Sequence, residues 1–311
     1  MAESTQPLVV LHPLHGPGLD DALRQLANLY LSTPDEEAEM AAELGRGAAG
    51  LITYRWEDSY LVPGLRWVQA ISAGYDQFPL DALRSNGVVL TSARGAHSPA
   101  VADHALALLL ALLRGLGPAL RNSRHHDWRI GRAYETEGIT VGVVGLGSIG
   151  EAVARRVLAL GMEVIGCKRR PDAYAGVVPQ VVGPEGLVSL FRGSDAVILT
   201  LPQTRQTEGL IGARHLAALG GGWLVNVGRG SVLDEEALLA ALQEGTVAGA
   251  GLDVTAEEPL PGDSPLWDHP RVIITPHMAW VSDRLTPRLV EIIEANADAL
   301  IGEGQWINQV L

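Results

Sequence analysis

The chain has 311 residues, 47% of them hydrophobic, and carries 23 basic against 36 acidic side chains for a formal net charge of −13. That length supports two substantial cores rather than one small domain, and the acidic balance excludes a nucleic-acid partner, whose phosphates it would repel. A single cysteine, Cys167, rules out an internal disulfide, and the N-terminus lacks a basic patch followed by a long apolar core, so the expected compartment is the cytoplasm.

Residues 7–11 read as a strand and 19–31 as an amphipathic helix, followed by short apolar strands at 48–53, 65–72 and 88–91 with helical patterns between them. Residues 1–96 are therefore expected to form one α/β unit. His12-Pro13-Leu14-His15 superficially resembles a metal pair, but no third ligand stands at metal-site spacing, and a solvated loop is the expectation there. Ser98-Pro99 is a good helix start, with Ser as N-cap and Pro at the first helical position. The helix continues through the Leu-rich run at 105–113, short of the roughly 20 apolar residues that span a bilayer, so a buried soluble helix and no membrane partner are expected. His104 inside it reads as a hydrogen-bonded packing residue. Residues 121–137 are polar and irregular and suit an arm or connector.

From Ile139 a β-favouring run enters Gly145-Leu146-Gly147-Ser148-Ile149-Gly150, and apolar residues at 149, 153, 157 and 160 follow at helical spacing. In a strand–turn–helix of this kind the first Gly makes the turn, the second lets a pyrophosphate approach, and the third lets helix and strand pack closely, with the phosphates on the helix N-terminus. Further strands are expected at 163–167, 196–200, 223–227, 249–253 and 272–275, with a helix at 235–244. Continuous apolar strands alternating with helices imply a parallel sheet covered on both faces, whose ligands bind at the carboxyl ends of the strands.

An NAD site of this type closes its second strand with Asp or Glu, about 20 residues past the first Gly. Here that place holds Cys167-Lys168-Arg169-Arg170, and Lys168 is the only lysine in the chain. An ordinary basic loop tip would look the same, but three cations suit a 2′-phosphate, so NADP(H) is expected over NAD(H), which stays as the alternative. Three other strand ends carry Arg229, Asp253 with Glu258, and His277. Each alone could be a solvated or ion-paired residue. Together they suit reduction of a 2-keto acid, Arg229 gripping an oxygen through its planar fork and His277, beside Glu258, giving a proton to the carbonyl oxygen.

These segments, together with Ser72-Ala73-Gly74-Tyr75-Asp76, Val101-Ala102-Asp103-His104-Ala105, Thr200-Leu201-Pro202, Asn226-Val227-Gly228-Arg229-Gly230 and Thr275-Pro276-His277, occur in the order found in the D-isomer-specific 2-hydroxyacid dehydrogenase family, which the chain resembles over nearly its whole length. The resemblance implies two Rossmann-like or flavodoxin-like α/β domains with doubly wound parallel sheets and an active site in the interdomain cleft. It implies a discontinuous substrate domain, 1–96 with 282–311, and a dinucleotide-binding domain at 97–281. It makes Arg229, Glu258 and His277 the catalytic set, with Ala73 and Gly74 binding the substrate carboxylate alongside Arg229 and His277. Cofactor contacts are expected from residues 145–150 and 168–170, from Thr200, Pro202, Val227 and Gly228, and from Asp253 near the nicotinamide carboxamide. The basic tip makes the NADP-using glyoxylate/hydroxypyruvate reductase branch the nearest, and the helix from Pro99 with the arm after Arg114 resembles the region that pairs two subunits as a homodimer. Two other readings share the scaffold: a dinucleotide-sensing, corepressor-like binding protein, and a dehydrogenase of another small anion such as phosphite or formate. Met278-Ala279-Trp280 departs from the family's habit of a small third residue after the histidine.

Overall fold

Alternation of apolar side chains builds the first sheet. In the computed structural model, which describes residues 6–311, the chain opens with β1 (Leu8–Leu11), α1 (Leu19–Leu23), β2 (Tyr30–Ser32), α2 (Met40–Leu44), β3 (Gly50–Thr53), β4 (Trp67–Ala70), α3 (Leu80–Ser85) and β5 (Val89–Ser92). The strands form one parallel sheet in the order β2-β1-β3-β4-β5. Because successive strand side chains point to opposite faces, Val9, Leu11 and Trp67 enter one core while Val10, Val68 and Ala70 enter another.

The second sheet is larger. After α4 (Ser98–Leu113) and α5 (Leu116–Arg124) come β6 (Thr140–Val144), α6 (Ser148–Ala159), β7 (Glu163–Cys167), β8 (Gln180–Val182), α7 (Leu187–Arg192), β9 (Ala196–Leu199), α8 (Ala213–Ala218), β10 (Gly222–Asn226), α9 (Glu235–Glu244), β11 (Val247–Leu252) and β12 (Val272–Ile274). All seven strands run parallel in the order β12-β11-β10-β9-β6-β7-β8. Val141, Val143, Ile198 and Val225 pack with α4 and α6 on one face, and Val144, Val197, Leu199 and Leu224 with α7, α8 and α9 on the other. The chain closes with α10 (Leu285–Ile301), whose Leu289, Ile293, Ala297 and Leu300 join Val9, Leu11 and Trp67 in the core of the first sheet. By contacts the molecule divides into residues 6–97 with 282–311, and residues 98–281.

Several expectations need correction. The helix anticipated over 19–31 stops at Leu23, and Tyr30–Ser32 instead pairs with β1 as an edge strand. Here long-range pairing outweighs local periodicity. The three-residue β8 carries no sequence signal of its own and exists because Ile165–Cys167 offers it a partner edge. Ser98 begins α4, but its hydroxyl is buried without a hydrogen-bond partner rather than capping the helix. The segment after Arg114 is helical through Arg124 before it becomes irregular. His12 does not sit in a solvated loop: it is 1% exposed, 3.3 Å from Glu37, and accepts the Leu14 N–H. Among the described residues no group of three or more His, Cys, Asp or Glu could hold a metal ion, and no single helix is long and apolar enough to cross a membrane.

Candidate active site

The strand order of the second sheet reverses at β6, with β7 on one side and β9 on the other, and the glycine turn leaves β6 there, where ligands of open α/β sheets bind. Gly145 has φ +106, a region that disfavours side chains, and its N–H and that of Leu146 donate to Cys167 O at 3.0 and 3.2 Å. A methyl at Gly150 would run into the Gly145 carbonyl, so the third glycine is what lets α6 close onto the turn. Thr200 Oγ1 donates to Gly145 O at 2.7 Å and pins the same turn from β9. Gly147, by contrast, faces open space, and no side chain caps the first turn of α6. Open room over the second glycine and uncapped N–H groups fit a dinucleotide pyrophosphate.

The tip after β7 is tied down rather than free. Lys168 Nζ donates to Leu146 O at 2.5 Å and lies 5.8 Å from the centre of the Tyr174 ring. The Tyr174 hydroxyl in turn donates to Glu151, which also accepts Val177 N at 3.1 Å. Arg169 and Arg170 are exposed beside it. Of the three cations, the lysine is engaged by the glycine turn and the two arginines face solvent.

The ends of β10, β11 and β12 assemble the polar cluster. Arg229 follows β10 in extended backbone and is half-buried; its guanidinium donates to Gly228 O at 3.0 Å. A side chain at Gly230 would overlap the Thr255 backbone, so this glycine lets the Arg229 turn press against the segment after β11. Gly228 packs on the Leu201 backbone, Val227 is buried, and Pro202 O accepts Thr207 Oγ1 at 2.6 Å. Glu258 is held by one oxygen on Thr255 N at 3.1 Å and places the other 2.7 Å from His277 Nδ1. With Nδ1 engaged by the carboxylate, Nε2 is the ring nitrogen left to meet a substrate. His277 is 42% and Glu258 37% exposed at the side chain, so the pair is open to a ligand. His277 has φ +49, a left-handed conformation rare for a non-glycine residue. Its N–H donates to Asp253 O at 2.8 Å.

Asp253 is 2% exposed. Its Oδ1 accepts Thr275 Oγ1 at 2.6 Å and Met278 N at 3.0 Å, and its Oδ2 accepts Ala279 N at 3.0 Å. Each of these donors belongs to the turn that carries His277. Ala73 and Gly74 lie in the other unit, in the loop after β4, where Ser72 Oγ donates to Gly74 O at 2.7 Å and Gln77 Nε2 bridges Tyr54 O at 2.8 Å and Ser72 Oγ at 3.2 Å. Trp280 is 45% exposed.

Residues 106–279 match the family described as D-isomer specific 2-hydroxyacid dehydrogenase, NAD binding domain. The chain belongs to the D-2-hydroxyacid dehydrogenase family. It is 36% identical over 260 residues to glyoxylate/hydroxypyruvate reductase B of Yersinia pestis (strain Pestoides F), covering 79% of this chain and 78% of that protein. Among solved structures it resembles the NADPH-dependent glyoxylate/hydroxypyruvate reductase of Sinorhizobium meliloti in complex with NADP and malonate, with 30% identity, TM-score 0.83 and coverage of 98% and 97% of the two chains. It also resembles the D-isomer specific 2-hydroxyacid dehydrogenase of Xanthobacter autotrophicus Py2 in complex with NADPH and MES, with 30% identity, TM-score 0.82 and coverage of 99% and 98%. As a member of this family, the protein is an NAD(P)-dependent oxidoreductase of 2-hydroxy acids.

Two supporting residues of this dehydrogenase, Asn226 and Thr275, were not assigned roles from its sequence, while His104 is the hydrogen-bonded residue the sequence led one to expect. Asn226 is fully buried; its Oδ1 accepts Gly228 N and its Nδ2 donates to Arg229 O, both at 3.1 Å, which shapes the turn that presents Arg229. Thr275 and His104 complete a buried chain to Asp253, with His104 Nε2 2.9 Å from Thr275 Oγ1. Asn226 and Thr275 stood inside motifs, but only their partners reveal what they do.

Proposed function

We propose that this dehydrogenase reduces small 2-keto acids of the glyoxylate and hydroxypyruvate type to D-2-hydroxy acids, with NADPH preferred over NADH. The observation that carries the reading is the contact between Glu258 and Nδ1 of His277: Nδ1–H donates to the carboxylate, which leaves Nε2, protonated in the imidazolium, as the nitrogen that can give a proton to the substrate. The glycine turn and the first turn of α6 would hold the pyrophosphate, and Arg169 and Arg170 would receive the 2′-phosphate. When bound, the nicotinamide supplies the hydride that reaches the keto carbon.

The chain's own residues do the rest. Arg229 grips the substrate carboxylate and keto oxygen, and its positive charge favours the negative charge that develops on that oxygen. His277 gives the Nε2 proton to the same oxygen, and Glu258 steadies the resulting charge change while fixing the ring. Ala73 and Gly74 offer backbone N–H groups to the carboxylate. We further infer a cytoplasmic homodimer. The lone cysteine favours the reducing compartment, and Leu120, Trp128 and Ile130, at 65%, 98% and 93% exposure, supply apolar surface around α5 and the following arm for a second copy to cover.

Initial rates of NADPH and NADH oxidation across glyoxylate, hydroxypyruvate, pyruvate and phenylpyruvate test the reading. Turnover favouring NADPH and the two smallest substrates is expected. Cofactor binding without turnover of any keto acid would overturn it.

A further inference from the structure

The apolar helix α4 carries one polar side chain that reaches the His277 turn. His104 lies on α4 with its side chain 19% exposed, and its Nε2 stands 2.9 Å from Thr275 Oγ1 and 3.4 Å from Asp253 Oδ1. The protons in this chain can be assigned from its partners. Thr275 has a single hydroxyl proton and lies 2.6 Å from the carboxylate, which can only accept. That proton therefore points to Asp253, and the lone pair of Thr275 Oγ1 faces His104. His104 must then carry its proton on Nε2. The order is His104 Nε2–H to Thr275 Oγ1–H to Asp253 Oδ1, each hydrogen bond polarising the next.

The far end of this chain is the reaction centre. The Asp253 carboxylate accepts Met278 N and Ala279 N, and the Asp253 carbonyl accepts His277 N, so all three residues of the turn hang on this one aspartate. The turn needs such an anchor because the left-handed backbone is costly for a non-glycine residue, and His277 adopts that conformation. An aspartate free to rotate could satisfy the same N–H groups in other arrangements; one gripped from α4 through Thr275 cannot.

We propose that His104 is a positioning residue for hydride-transfer chemistry: its Nε2–H, relayed by Thr275, locks the Asp253 carboxylate in the one orientation that holds the His277 turn. This rests on His277 as the proton donor. His104 itself touches neither substrate nor cofactor in this role, and its effect falls on the chemical step rather than on binding.

The test compares His104→Phe, which fills the ring's space without a donor, with His104→Gln, whose amide N–H can reach where Nε2 does. Thr275→Val and Thr275→Ser form a second, independent pair that cuts or keeps the middle link, so a folding failure of one variant does not end the experiment. For each, kcat and KM for glyoxylate are measured along with the NADPH Kd from tryptophan fluorescence. His104→Phe and Thr275→Val should each lower kcat about tenfold, the value of one lost buried hydrogen bond. KM and Kd should stay within about twofold of the parent, because ground-state binding is left intact. His104→Gln and Thr275→Ser should recover most of the rate. Unchanged kcat in both cutting variants, no rescue by the donor-keeping ones, or a rise in NADPH Kd that accounts for the lost rate would each overturn the proposal. His277→Asn is run alongside: full activity in that variant removes His277 as proton donor, whereas its loss with an indifferent His104 leaves the functional reading standing and sinks the relay alone.

Discussion

Replacing Asp253 with Asn probes the anchor of the proposed proton donor, His277, directly. The aspartate side chain is 1% exposed and takes three donors: Thr275 Oγ1 and Met278 N on one oxygen and Ala279 N on the other. Asparagine has the same shape and can keep the first two on its carbonyl oxygen. Its amide group then faces Ala279 N, donor against donor. The change removes one charge-assisted hydrogen bond, about 1.5–3 kcal/mol, and strands a buried N–H at about 1–3 kcal/mol more. The turn will relax to recover part of this, so a net bias of about 2–3 kcal/mol against the left-handed His277 geometry is expected, which shifts the equilibrium away from it by roughly 30- to 160-fold. Stopped-flow NADPH oxidation at saturating glyoxylate should show kcat down by that factor. NADPH titration should show a much smaller change, because the glycine turn and the basic tip are untouched. A kcat within about twofold of the parent would refute the anchoring argument, since twofold corresponds to well under 1 kcal/mol. A loss confined to NADPH affinity would instead assign the carboxylate to the cofactor.

Other expectations follow from the same geometry. Replacing Arg169 and Arg170 together with Ala should raise the NADPH Kd by about tenfold or more while leaving NADH nearly unaffected, since a guanidinium–phosphate contact serves only the 2′-phosphate; equal losses for both cofactors would refute the assignment. The Cys167 thiol is 7% exposed and pushed up to about 11 by burial and by nearby Glu185. It should resist maleimide at about pH 7.5 in the native protein and react promptly in guanidinium chloride, and rapid native labelling would contradict the packing. His97 has its pKa lowered from 6.5 by burial, with Arg288 adding to the effect and the Ile71 carbonyl, 2.9 Å away, opposing it. The unfolded chain therefore binds this proton more readily than the folded one, so stability is intact above pH 6.5 and falls as pH drops below it. Melting curves from about pH 7.5 to about pH 5 should show this slope, and His97→Gln should reduce it; an unchanged slope would acquit His97.

Legibility tracked distance along the chain. The glycine turn, β7 at 163–167 and α9 at 235–244 were readable because strand alternation, turn glycines and helical spacing act within a few residues. The strand ends bearing Arg229, Asp253, Glu258 and His277 were readable too, since a parallel sheet sends its polar residues to its carboxyl edge. The edge strands β2 and β8 were not, because three residues have no periodicity and gain strand geometry only from the partner that offers them hydrogen bonds. The buried His12 and the short α1 belong to the same class.

What the sequence determined alone was the chemistry available: a glycine turn with the spacing that suits a phosphate, a basic tip where an acidic ribose ligand would stand, and an Arg, two carboxylates and a His closing successive strands. Tertiary structure decided how that chemistry is held. Lys168 belongs to the glycine turn, Asp253 to the turn of His277, and His104, 171 residues before Thr275, to a hydrogen bond with that threonine. The physical reason is that a hydrogen bond needs its partners within about 3 Å and correctly aimed, and for residues so far apart in the chain only the packing of α4 against the sheet can bring them there.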